Sequence, residues 1–139
     1  MAGKMAGKRY NYYILSILVL FQGVSGMIGG AGLIIDPSGE LLNIPITWLK
    51  GSPFPDYLIP GIILATILGI YPLIAFIGLL RRHDWAVTAT RNLGFALIIW
   101  IATEIIVIGY QAEPPLQLIY GILGLIILLI SYFPKLSHD

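Results

Sequence analysis

Four apolar stretches, each about as long as a bilayer is thick, alternate with short polar breaks along the chain. No charged residue occurs between Arg9 and Asp36 or between Asp56 and Arg81, and none lies between Pro114 and Pro134. A fourth apolar stretch, Trp85 to Ala112, is broken only by Arg91 and Glu104. A membrane-spanning helix needs about 20 mostly apolar residues. The pattern therefore predicts four spans, at 12–35, 57–80, 86–109 and 116–133. The basic start before the first stretch resembles that of a signal peptide, but the apolar run is far longer than the roughly 7–15 residues of a signal core.

The breaks predict how the helices connect. Arg81-Arg82-His83-Asp84 is a tight turn, and so is Gln111-Ala-Glu-Pro-Pro115. The segment from Asp36 to Asp56 is longer, at 21 residues. Loops beyond about 12–15 residues usually have structure or work of their own. It opens on Asp36-Pro37-Ser38-Gly39, the signature of a type I turn. The apolar stretch 41–49, with Trp48, is too short to cross and too apolar for water. It is expected to lie along the outer interface or to cap the bundle. The proline-rich 52–56 is expected to be extended.

Composition agrees with the pattern. Hydrophobic residues make up 58% of the 139 and charged residues 11%, against about a quarter charged in soluble domains. Fifteen charges cannot clothe a water-facing surface, so the expected fold class is an all-α integral membrane four-helix bundle forming a single transmembrane domain. Lys and Arg set its orientation. Lys4, Lys8, Arg9, Arg81, Arg82, Arg91 and Lys135 fall on one side and Lys50 alone on the other. Both termini are therefore expected in the cytoplasm, with the protein in the cell membrane. A net charge of +1 gives no basic field for nucleic acid, so the expected partners are membrane lipids and a homo-oligomer or larger membrane complex.

Candidate chemistry is sparse. There is no cysteine, which excludes thiolate metal sites and thiol exchange. His83 and His138 are far apart, and no zinc, phosphate-loop or nucleophile-elbow motif appears. No catalytic residue, metal ligand or cofactor is assigned. Glu104 is the most informative position, because a carboxylate roughly 7 Å inside a span is a functional-site hypothesis by default. Trp100 lies one turn away on the same face. Tyr120 is placed at its level, as the expected hydrogen-bond partner, and Gln22 lies deeper. These four form a candidate ligand site. Arg81, Arg82 and Arg91 form a candidate site for an anionic lipid headgroup. Pro72 should kink its helix and free a carbonyl near Leu68, with Tyr71 and Asn92 at hand to fill it or to bond to each other. Gly23, Gly26, Gly29 and Gly30, the row Gly61, Ala65, Gly69, and Gly121 with Gly124 point to close helix packing, to a smooth wall beside a lipid-like ligand, or to an oligomer interface.

The glycine-rich end Gly26-Met-Ile-Gly-Gly-Ala-Gly32 running into Asp36-Pro37, the Pro60-Gly61 pair, Gly69, and the Gly78-Leu-Leu-Arg-Arg82 turn resemble, distantly, the DoxX-like set of small four-helix prokaryotic membrane proteins. The closer likeness is to uncharacterised proteins of that shape with Asp-Pro-Ser-Gly and Pro-Gly elements. The DoxX likeness implies a membrane oxidoreductase component. The residues themselves point first to a non-catalytic accessory or lipid- and hydrophobic-ligand-binding protein. They leave open an oligomeric proton- or ion-coupled transporter using Glu104.

Overall fold

A computed structural model describes residues 11–109 and 116–132. The expected 110–115 turn, the first ten residues with Lys4, Lys8 and Arg9, and the tail with Phe133, Lys135 and His138 lie outside the described residues. Within them the chain is helical, with four principal helices. They are α1 (Tyr12–Ile35), α2 (Leu58–Leu80), α3 (Ala86–Ile108) and α4 (Leu116–Tyr132). The first three are long and apolar enough to cross a membrane. Of the fourth, an apolar helix, 17 residues are described.

Each helix runs antiparallel to the next. The α1–α2 seam is built on small residues. A Cβ on Gly26 would overlap the Leu68 carbonyl, and one on Gly30 would overlap the backbone of Ala65. Gly61, Ala65 and Gly69 all face α1, meeting Leu33, Gly30 and Met27. The backbones therefore touch directly, the close approach that small residues allow between apolar helices. The α3–α4 seam has one such point. Gly94 and Gly124 face each other, and a Cβ on either would lie 3.2 or 3.3 Å from the other's carbonyl. Leu15, Val19, Leu68, Leu79, Leu93, Leu97 and Ile127 fill the interior. Between α1 and α4 the closure is slight, with Phe21 stacked on Tyr120 at 5.9 Å.

Pro72 acts as expected, and the helix answers in a particular way. Proline has no N–H to donate and crowds the preceding turn. α2 widens to π-helix over Thr66–Ile70, where the Tyr71 N–H reaches back five residues to the Thr66 carbonyl. The Leu68 carbonyl is taken by Gln22, whose Nε2 donates to it at 2.9 Å. Tyr71 is not the partner of that carbonyl. Its hydroxyl donates to the Ala89 carbonyl at 2.7 Å and its side chain bonds to Asn92, tying α2 to α3.

The α2–α3 turn is a Schellman motif. Arg82 N–H donates to the Leu79 carbonyl at 3.2 Å and His83 N–H to the Gly78 carbonyl at 2.9 Å. This places Arg82 at the left-handed position, with φ 56°, where glycine is the usual residue. Gly78 leaves room for the Trp85 ring, which would overlap a Cβ there.

At the other end the 36–57 loop folds onto the bundle. Asp36 follows α1 and organises the turn. Its Oδ1 accepts from the Ser38 hydroxyl at 2.7 Å and the Ser38 N–H at 3.2 Å, and its Oδ2 accepts from the Leu41 N–H at 3.0 Å. The Gly39 N–H closes the turn on the Asp36 carbonyl at 3.0 Å. The 41–49 stretch is divided between two short 3-10 turns, Glu40–Leu42 and Ile46–Leu49. Leu49 is buried with Leu33 and Tyr57, against Leu42, Phe54, Val107 and Ile108. Tyr57 ties the loop down, its N–H donating to the Pro37 carbonyl at 2.9 Å and its hydroxyl to the Pro45 carbonyl at 2.7 Å. The 52–56 segment is bent, not extended. The cause is local: the Ser52 N–H closes a turn on the Leu49 carbonyl, and the Ser52 hydroxyl oxygen accepts from the Phe54 N–H.

Candidate functional site

Two charged residues of α3 face α4, one near each end of the helix, and each is held differently. Arg91 donates from Nη2 to the Ser131 carbonyl at 2.6 Å, and its guanidinium lies 4.1 Å over the Tyr132 ring. A cation near the last carbonyls of a helix is favoured by the helix dipole, and the aromatic face adds to this. Arg91 therefore fastens the last turn of α4. Arg82 sits over the Tyr12 ring at 4.1 Å, at the start of α1, and Arg81 is exposed. The three arginines expected to share one headgroup site serve different helices.

Glu104 is half-buried near the loop end of α3. Trp100, one turn earlier, bonds to its carboxylate. Across the helix pair Gln117 donates from Nε2 to Glu104 Oε1 at 3.5 Å and to the Gly109 carbonyl at 3.2 Å. Gln117 is buried, with 5% of its surface exposed. Tyr57 is buried and stands close enough to Glu104 to feel its carboxylate charge. The site is thus Glu104, Trp100, Gln117 and Tyr57.

Tyr120, the partner expected for Glu104, lies instead against Phe21. Helix geometry explains this. The Gln117 bond sets which residue of α4 is level with Glu104. Tyr120 is three residues on, about 4.5 Å further along and about 60° off the face of Gln117. Sequence reasoning missed Gln117, although it is one of only two glutamines falling within the four helices. Gln22 is not part of this cluster. It lies at the π-helical stretch of α2, 2% exposed, its Nε2 on Leu68 and its Oε1 buried without a donor among the described residues.

An apolar groove of about 280 Å³ runs from this cluster along α3 and α4, lined by Ile101, Ile105, Gln117, Leu118, Gly121 and Ile122. Gly121 is unlike the seam glycines. The nearest atom to a Cβ built there is 3.8 Å away, on Ile101, so packing does not demand a glycine. Among the described residues no group of three or more His, Asp or Glu is placed to hold a metal ion. No family model, curated protein or solved structure matches the chain.

Proposed function

We propose that this is a small integral membrane protein that binds a lipid-like amphiphile and performs no covalent chemistry on it, acting as an accessory protein alone or within a larger membrane assembly. It lies in the cell membrane with both termini in the cytoplasm, so the loop end of the bundle faces outward. Its outward helix faces support insertion. Ile28, Ile99 and Ile106 expose 65%, 63% and 83% of their surface, and apolar faces of this extent are unfavourable in water.

The observation that carries the binding reading is the α3–α4 groove. Its walls are apolar and a hydrogen-bonding amide beside a carboxylate closes one end. This combination suits a molecule with an apolar tail and a polar head able to donate to Glu104. A carboxylate at this depth is costly, and the Trp100 and Gln117 bonds offset part of that cost.

The test is retention of a fluorescent long-chain amine by the protein reconstituted in nanodiscs. Gly121→Leu should fill the groove without disturbing the fold and abolish retention. Glu104→Gln should fold and weaken retention at least tenfold, about the loss expected when one hydrogen bond to a charged group is removed. Retention unchanged in both variants overturns the reading.

A further inference from the structure

A second groove opens at the opposite end of the molecule, between α1 and α2, with a volume of about 250 Å³. Tyr12, Ser16, Ile17 and Leu20 of α1 form one wall, and Phe76 and Leu79 of α2 form part of the other. From Tyr12 to Leu20 the wall extends about 12 Å along the helix axis. Arg82 stands at its mouth and also lines it.

The backbone makes Arg82 informative. It occupies the left-handed position of the Schellman turn, where a Cβ is unfavourable and glycine relieves the strain. An arginine there is held against the local preference. An outlier of this kind points to a use for the side chain. The side chain is also placed, stacked over the Tyr12 ring at 4.1 Å from its centroid, which keeps the guanidinium over the groove. Arg81 precedes it, exposed, and adds charge of the same sign.

We propose that this groove seats an acyl chain of an anionic phospholipid, with the lipid phosphate paired to Arg82. The apolar walls match the chain in character and hold the part of it next to the headgroup. The guanidinium offers a planar fork that binds phosphate through two parallel hydrogen bonds. The site rests on the membrane reading above, with this end of the bundle in the cytoplasmic leaflet, where anionic lipids attract basic residues. It does not depend on the α3–α4 groove.

The experiment is native mass spectrometry of the full chain released from nanodiscs of mixed phosphatidylglycerol and phosphatidylcholine. The wild type should retain phosphatidylglycerol about fivefold over phosphatidylcholine, the preference expected of one well-placed arginine. Arg82→Gly should erase the preference while the protein stays as heat-stable as before or gains stability, since the turn backbone favours glycine. Arg82→Lys should keep most of the preference. Ile17→Trp, which fills the groove, should lower retention of both lipids. An unchanged preference in Arg82→Gly overturns the proposal, as does a preference lost in Gly121→Leu and kept in Arg82→Gly. Failure of the chain to enter the bilayer overturns this site together with the membrane reading. Entry without lipid preference overturns this site alone.

Discussion

The two hairpins of the bundle use small residues to opposite ends. In α1–α2 the row of glycines and alanines is consumed by contact. Gly26 meets a carbonyl, Gly30 meets backbone, and a buried glutamine supplies the hydrogen bond that a proline removed. In α3–α4 close contact occurs once, at Gly94 and Gly124, and the pair then opens toward Glu104 and Gln117 with Gly121 left over. A glycine pressed against backbone is explained by packing. A glycine whose missing side chain leaves a groove is not, and the groove carries the functional reading. The same division holds for the two charges of α3. Arg91 ends on a helix carbonyl and a ring, whereas Glu104 is held by Trp100 and, at a long 3.5 Å, by Gln117, which lines the groove.

The largest effect should come from setting Gly26→Leu against Gly121→Leu. The first forces a side chain into the Leu68 carbonyl, which is backbone and cannot step aside. Overpacking of this sort costs about 3 kcal/mol or more, so the variant should unfold or fail to accumulate. In the second the Cβ meets nothing closer than 3.8 Å, the rest of the side chain has the groove to enter, and glycine is replaced by a better helix former, so its thermal midpoint in detergent should hold or rise. Equal losses in the two variants would erase the distinction between the hairpins.

Much of this contrast was legible in the sequence. Charge spacing placed the first three helices to within a residue, because a charge in a long apolar run is costly enough to mark boundaries. The small-residue rows of α1 and α2 could be read as an interface from their spacing alone. Which glycine of Gly121 and Gly124 packs could not, since both lie in the same run and only the neighbouring helix decides. The partner of Glu104 was missed for a related reason. Depth along the apolar runs does not give the rotation of α4 about its axis, and that rotation faces Gln117 to the carboxylate and Tyr120 to Phe21. The bent 52–56 segment shows local hydrogen bonding by Ser52 overriding the extended preference of residues before proline.

A smaller effect should sharpen the account of the α1–α2 seam. The Leu68 carbonyl lacks its helical donor because residue 72 is proline, and Gln22 supplies one. Gln22→Leu leaves that carbonyl buried and unpaired, at a cost of about 1–3 kcal/mol. Loss of the undonated Oε1 offsets part of this, so the net destabilisation should be about 1 kcal/mol. In a Pro72→Ala background the backbone N–H is restored and the π-helical stretch can close to ordinary α-helix. There Gln22→Leu should be neutral or stabilising. A double-mutant cycle on unfolding free energies measures the coupling. Zero coupling would mean that the glutamine and the proline are unrelated, and that the seam is held by its glycines alone.

The smallest effect lies in the loop that the first hairpin carries. Asp36 has its carboxyl held below the usual range, chiefly by the Ser38 hydroxyl and also by the Leu41 and Ser38 N–H groups, with desolvation opposing them. A carboxyl whose folded value lies below its unfolded one stabilises the fold above the unfolded value of 3.8. That contribution is lost as pH falls through the folded value. Protonation converts acceptor oxygens into a hydroxyl, so the bond to the Leu41 N–H should loosen only as pH falls below 3.8 and through the folded value. Hydrogen exchange should then show the protection of the Leu41 amide falling on acidification while the amides around Gly94 and Gly124 keep theirs. In Asp36→Asn only one oxygen remains to accept, so the Leu41 amide should exchange faster at neutral pH and show no further loss in acid. If the α3–α4 amides lost protection together with Leu41, the loop and the second hairpin would open as one unit. The packing of the Ile46–Leu49 turn against Val107 and Ile108 would then couple the loop to the site of Glu104, and the two hairpins could no longer be treated as separate in their stability.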